Sequence, residues 1–167
     1  ETVSYLESKQ LRTTEDLDAL LNAMQEQINS LKESASGKQT RIKKLDELLR
    51  MADYYQQGKP VADKLKTIRF DKSRQKYKAE HENVLRTFYM AERKLKNQWV
   101  DGKLPVHAWR KEKAKLETEY EALQQKIAPL YADTKKLWAI HYSIYQVQHE
   151  QERQNAVTRQ KKQEIEH

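Results

Sequence analysis

The stretch Leu17–Ala52, LDALLNAMQEQINSLKESASGKQTRIKKLDELLRMA, decides the fold class. Its apolar positions step alternately by four and three: Leu17, Leu21, Met24, Ile28, Leu31, Ala35, Lys38, Ile42, Leu45, Leu49 and Ala52, with Lys38 the one interruption. A 3.5-residue period held for about five heptads is the pattern of a coiled-coil seam. Ser36-Gly37 falls inside the stretch and would ordinarily suggest a loop. The phase passes through it unshifted, which a loop has no reason to preserve, so the reading is one helix with a weak point at Gly37. Thr14 suits an N-cap, and Glu15 and Asp16 then complement the helix dipole in the first turn. Gly58 and Pro60 predict its end. The expected helix over 14–57 would be roughly 65 Å long.

Outward from this stretch, residues 60–70 form a basic connector in which Val61, Leu65 and Ile68 are spaced for a short helix. Asp71 can cap a second helix, expected over 71–98, with the stripe Tyr77, His81, Val84, Phe88, Ala91 and Leu95, and Leu85 and Trp99 alongside. Asp101-Gly102-Lys103 is a turn signal, and Pro105 suits a first helical position. A third helix, expected over 105–155, carries Trp109, Lys113, Leu116, Tyr120, Leu123, Ile127, Leu130, Thr134, Leu137, His141 and Ile144. Pro129 lies within it without disturbing the phase, which predicts a kink rather than a break. From Glu150 the stripe fades to Val157 and Ile165. Val3, Tyr5, Leu6 and Leu11 in residues 1–13 either pack back on the helices or continue from something upstream. Three long helices with two short connections predict a single all-α domain over 1–167: an elongated antiparallel three-helix coiled-coil bundle, tapering to a two-helix hairpin.

Composition narrows the function classes. The 167 residues include three Gly, three Pro and no Cys. So few turn formers argue against a loop-rich α/β enzyme. Without Cys there is no disulfide scaffold, thiolate zinc site or cysteine nucleophile, and a reducing, cytoplasmic setting is expected. No apolar run approaches the ~18–20 residues of a membrane span, and no signal-peptide pattern opens the chain. Glu1 stands where Met would be expected, which suggests a C-terminal piece of a larger protein. Mean hydropathy is −1.07. That value fits either disorder or long helices exposing most of their surface, and the periodicity favours helices.

The net charge of +7 is concentrated. Lys64, Lys66, Arg69, Lys72, Arg74, Lys76 and Lys78 face Asp71 alone, a local +6. At helical spacing, Arg69, Lys72 and Lys76 would share one face and Arg74 and Lys78 another. Phosphate binding requires such a field, and the interleaved Phe70 and Tyr77 could stack on bases of a single strand. These seven cations are the candidate nucleic-acid-binding residues. The bland alternative is a solvated lysine-rich face, with Phe70 and Tyr77 in the core. A second group, Arg110, Lys111, Lys113 and Lys115, is interspersed with Glu112 and Glu117 and is accounted for by helical ion pairs. His141, Tyr145 and His149 share a face, but no HExxH occurs, and core or boundary histidines are the expected reading. No GxSxG, P-loop or GxGxxG is present, and Glu80/Glu82 is a surface pair. No catalytic residue, metal site or cofactor is expected.

Three segments together resemble a known family. They are YYQQGKPVADKLKTIRFDK (Tyr54–Lys72), KYKAEHENVLRTFYMAERKLK (Lys76–Lys96) and LETEYEALQQKIAPLYADTKKLW (Leu116–Trp138). Their order resembles the helical region that follows the nuclease domain in MobA/MobL-type mobilization relaxases. The positions that carry the likeness are Tyr77, Glu80-His81, Leu85, Ala91, Arg93 and Leu95, while Pro129 departs from the pattern. The likeness extends over about Thr14–Glu150. Such relaxases nick one DNA strand at an origin of transfer with a tyrosine and a histidine-held metal, and none of those motifs is present here. The resemblance therefore implies a non-catalytic accessory domain that supports origin-DNA binding and relaxosome assembly. DNA is the expected partner, with contact to the relaxosome or a coupling protein and self-association as further possibilities. The alternatives are a coiled coil docking a secretion or coupling partner, and a structural spacer.

Overall fold

A computed structural model describes residues 13–165. It is all-α, with 90% of these residues helical. The helices are α1 (Thr14–Thr67), α2 (Asp71–Glu80), α3 (Glu82–Leu95) and α4 (Val106–Ile165). No strand occurs among the described residues, and no helix is long and apolar enough to cross a membrane. Val3, Tyr5, Leu6 and Leu11 lie outside the described residues. The chain divides into two compact units: one is Ala35–Ala122, and the other combines the chain up to Ser34 with the chain from Leu123 onward. Both α1 and α4 contribute to each.

In the unit Ala35–Ala122, three helical segments pack antiparallel. Leu45, Leu48, Met51 and Ala52 of α1 meet Ala91 and Leu95 of α3 and Trp109 of α4. A second cluster joins Ala62 and Leu65 of α1 to Leu85 and Phe88 of α3. Ion pairs follow the same antiparallel register. Arg41 grips Glu112 with two hydrogen bonds of 2.7 and 2.9 Å, and Lys94 of α3 pairs with Glu47. The interruption at Lys38 is resolved here too. Lys38 is half-buried, and its Nζ reaches 2.5 Å to the Glu119 carboxylate on α4. Its stem occupies the seam while its charge leaves it.

Several expected boundaries move. α1 does not stop at Gly58 or Pro60 but runs to Thr67. Gly58 serves close approach rather than termination: a Cβ there would lie 2.4 Å from Phe88 Cβ. Phe88 in turn stacks on Tyr55 at 5.1 Å between centroids. Pro60 removes one helical hydrogen bond, a cost of about 3 kcal/mol. Burial of Ala62 and Leu65 against Leu85 and Phe88 offsets it, at ~1.5–3 kcal/mol for each large side chain. The helix expected over 71–98 is two helices, parted at His81 (φ −119, ψ 23), and the second ends at Leu95. Leu85 is buried where the stripe placed Val84, while Phe88, Ala91 and Leu95 are buried where the stripe placed them. α4 runs through Pro129, as the preserved phase implied, and continues past residue 155 to Ile165. Between α3 and α4, Asp101 (φ 50) and Gly102 (φ 73) form a two-residue turn. Val100 and Lys103 close it by exchanging backbone hydrogen bonds of 2.9 Å.

Among its described residues, the other unit contains two helical segments. Leu17, Leu21 and Met24 of α1 cluster with Leu137 of α4, flanked by Leu20, Leu130, Ile140 and Ile144. Thr134 is the one buried polar residue of this seam, and its hydroxyl donates to the Leu130 carbonyl at 2.7 Å. His141 Nε2 lies 2.8 Å from Asp18 Oδ1. α1 is capped by Thr13 rather than Thr14. Thr13 Oγ1 accepts from Asp16 N–H, and Thr13 N–H donates to Asp16 Oδ2, both at 3.1 Å. This is a reciprocal capping box with Asp in the third helical position.

The two α1 glycines predict opposite outcomes. No atom lies within 4 Å of a Cβ built on Gly37, so Gly37→Ala is expected to stabilise by ~0.5–1 kcal/mol through helix propensity. Gly58→Ala is expected to destabilise by about 1–3 kcal/mol through the clash with Phe88. Urea unfolding followed by circular dichroism would measure both.

A pH effect follows from the ion pairs. Hydrogen bonds from Arg41, Lys38 and Lys94 hold Glu112, Glu119 and Glu47, respectively, below the usual carboxylate range. A depressed folded-state pKa gives stability that is present above the unfolded value of about 4.3 and is lost as pH falls through the folded value. Tm is therefore expected to hold from neutral pH to about 5 and to fall below about 4.3. The drop should be modest, since these pairs are solvent-exposed. Glu112→Gln should lower Tm at pH 7 and make the acid-induced drop smaller. A drop unchanged in Glu112→Gln would remove this pair as a contributor.

Candidate nucleic-acid interface

The seven candidate cations lie at the reversal between α1 and α3. Lys64 and Lys66 occupy the last turn of α1, Arg69 lies in the connector, and Lys72, Arg74, Lys76 and Lys78 are on α2. The Thr67 hydroxyl donates to the Lys64 carbonyl at 2.7 Å, closing the final turn of α1. Phe70 is extended (φ −91, ψ 126), and its carbonyl accepts the first hydrogen bond of α2, from Arg74 N–H at 2.9 Å. Arg69 therefore precedes α2 and does not share a helical face with Lys72 and Lys76, as even spacing had implied. The pairs Lys72/Lys76 and Arg74/Lys78 do lie one turn apart on α2.

Two groups attach this segment to the core. Tyr77 is half-buried against the Ala62, Leu65, Leu85 and Phe88 cluster. Its ring stacks on His81 at 4.1 Å, and Lys64 Nζ sits 5.3 Å above the same ring. His81 Nδ1 is 3.0 Å from the Tyr77 carbonyl. A carbonyl only accepts, so Nδ1 carries the proton and donates. That bond stabilises the bend between α2 and α3. α2 itself buries no residue.

The bland reading had placed both aromatics in the core, and they divide. Tyr77 is partly in the core, whereas Phe70 is 77% exposed at the tip of the reversal. Its position off the Val61–Leu65–Ile68 phase was the available signal. The charges divide as well. Lys66 lies 4.0 Å from Asp63 and Lys76 lies 3.9 Å from Glu80, both at the outer limit of an ion pair. Among the described residues, Lys64, Arg69, Lys72, Arg74 and Lys78 form no salt bridge. The second basic group behaves otherwise: Lys113 is held by Asp46 and Glu117, and Lys115 by Glu119. No group of three acidic or histidine residues is placed to hold a metal ion among the described residues.

The arrangement offers five cations without carboxylate partners among the described residues and one exposed aromatic ring in the same reversal. Such a surface can neutralise phosphates and present a flat apolar face to a base. Comparison of the chain with protein-family models, with curated proteins and with solved structures gives no match.

A ten-residue helix that buries nothing is marginal in water. Amide hydrogen exchange in 71–80 is accordingly expected to be at least ~100-fold faster than in the buried part of α3, 85–95. Equal protection in the two segments would show that α2 is held by more than Tyr77 and His81.

Proposed function

We propose that this chain is the non-catalytic helical accessory domain of a DNA mobilization relaxase, acting in the bacterial cytoplasm. On this reading, the basic reversal formed by Lys64, Lys66, Arg69, Lys72, Arg74, Lys76 and Lys78 contacts origin DNA and supports relaxosome assembly. The relaxase assignment rests on the sequence resemblance in Tyr54–Lys96 and Leu116–Trp138. The observation that carries the DNA contact is the set of unpaired cations around an exposed Phe70. Purely helical surface charge tends to be laced with i,i+4 carboxylates, as around Lys113 and Lys115. In the reversal Lys76 has such a partner in Glu80 and Lys66 a looser one in Asp63, while among the described residues Lys64, Arg69, Lys72, Arg74 and Lys78 have none.

Each part of the surface has a distinct role. The α2 cations supply a field without base preference, so affinity should depend steeply on salt. Phe70 adds a stacking platform, which only an unpaired base can use. Tyr77 and His81 fix the direction of α2, and Lys64 lies above the Tyr77 ring close to the same field.

Fluorescence anisotropy with labelled single-stranded and duplex DNA tests this reading. Binding is expected with a log–log salt slope of about −3 to −5, for four or five phosphates contacted. The triple variant Arg69→Glu, Lys72→Glu and Lys78→Glu should lose at least ~10-fold in affinity with its helical spectrum intact. Phe70→Ala should weaken single-strand binding by ~5- to 100-fold and leave duplex binding nearly unchanged. No binding at tens of micromolar protein would end the DNA reading and turn attention to a protein partner.

A further inference from the structure

Four aromatic residues of α4 stand exposed beside the two-helix seam: Tyr131 (58%), Trp138 (50%), Tyr142 (63%) and Tyr145 (55%). They are spaced by seven, four and three residues, so they form one ridge. At 100° per residue, the ridge lies about 110° around α4 from the stripe Leu130, Leu137 and Ile144 that faces α1. In a four-helix bundle, each helix meets its two neighbours at directions about 90° apart. Among the described residues of this unit, α4 thus has one neighbour, α1, and an aromatic face where a second would pack.

We propose that this ridge is a self-association surface, and that a second copy of the chain packs on it antiparallel, about a two-fold axis through Trp138, to complete a four-helix bundle. A two-fold interface must be complementary to itself, and the ridge has that property. Tyr131 and Tyr145 are each seven residues from Trp138, on opposite sides. An antiparallel copy centred on Trp138 therefore sets Tyr131 beside the second copy's Tyr145, and the reverse. The same register sets Lys135 level with the second copy's His141, one residue (about 1.5 Å along the axis) from its Tyr142 and within reach of a cation–π contact, and the reverse. Within the chain, Lys32 already sits 5.3 Å over the Tyr131 ring, at the edge of this face. The other ridge neighbours are histidines: His141 is edge-on to Trp138 at 5.4 Å, and His149 is 6.0 Å from Tyr145. No carboxylate lies on the ridge from Tyr131 to Tyr145, so pairing it with its copy brings no like-charged acids together.

The area is sufficient. Aromatic side chains carry ~150–250 Å² each, so four at half to two-thirds exposure offer roughly 400–500 Å² per copy. Two copies bury about 900 Å² from these rings alone. The stem of Lys135 and the flanking α1 side chains bring the total above the ~1,000 Å² that a specific interface needs.

Sedimentation equilibrium from 1 to 100 μM tests the proposal. A dimer is expected, and Trp138→Glu should weaken it at least ~100-fold while the helical spectrum is retained, because Trp138 is half-exposed. Tyr142→Ser, a milder change, should weaken it ~10-fold. The chain has no cysteine, so introduced thiols report the register. Under mild oxidation, an equimolar mixture of Tyr131→Cys and Tyr145→Cys should form a mixed disulfide dimer. Neither variant should do so alone, because each thiol and its own copy are about 21 Å apart along the axis. A monomer at 100 μM, a dimer indifferent to Trp138→Glu, or cross-linking of either variant with itself would each overturn the proposal.

Discussion

Every packed feature of this chain depends on one constraint: α1 has to keep a single narrow stripe out of water along its length. In one unit the stripe is covered, among the described residues, by α4, through Leu17, Leu21 and Met24 against Leu137. In the other it is shared between α3 and α4, and the buried positions broaden to Leu48 and Met51 beside Leu45 and Ala52. Helices this polar gain little from intrinsic propensity relative to burial. The mean hydropathy of −1.07 is therefore the expected value for helices that bury one side each.

Exceptions to the apolar stripe serve the packing in different ways. Lys38 keeps its stem in the seam and extends its charge to Glu119. Thr134 is buried because its hydroxyl is satisfied by the Leu130 carbonyl one turn back. Gly58 is the position where α1 and α3 approach too closely for any side chain, since Phe88 occupies that space. A residue type that ordinarily breaks helices is here the condition for packing two of them. The flanking Pro60 is tolerated because the following residues, Ala62 and Leu65, are anchored in a cluster that does not depend on the lost hydrogen bond.

The basic reversal is the inverse case. α2 buries nothing and is held by one half-buried tyrosine and one bent histidine. Among the described residues its Lys72, Arg74 and Lys78 have no carboxylate partner of the kind found on α4, and Phe70 just before it projects into solvent. Those features raise no stability and carry a cost in self-repulsion. A surface of that kind is intelligible when a polyanion completes it, which is the basis for the proposed DNA contact.

The sequence by itself determined the all-α class, the α1 seam through Gly37, the passage of α4 through Pro129 and the clustering of charge at 64–78. These are properties of local periodicity and composition, which a helix expresses residue by residue. Tertiary structure decided where helices end and what stays exposed. Gly58 and Pro60 read as terminators until Phe88 of α3 is placed against Gly58, and residues 71–98 read as one helix until the backbone at His81 parts it. Phe70 and the Tyr131–Tyr145 ridge lie off the apolar stripes, and only the packed structure shows that nothing among the described residues covers them. Whether an apolar residue is buried depends on whether another element arrives to cover it, and that is a property of the packed chain rather than of its local sequence.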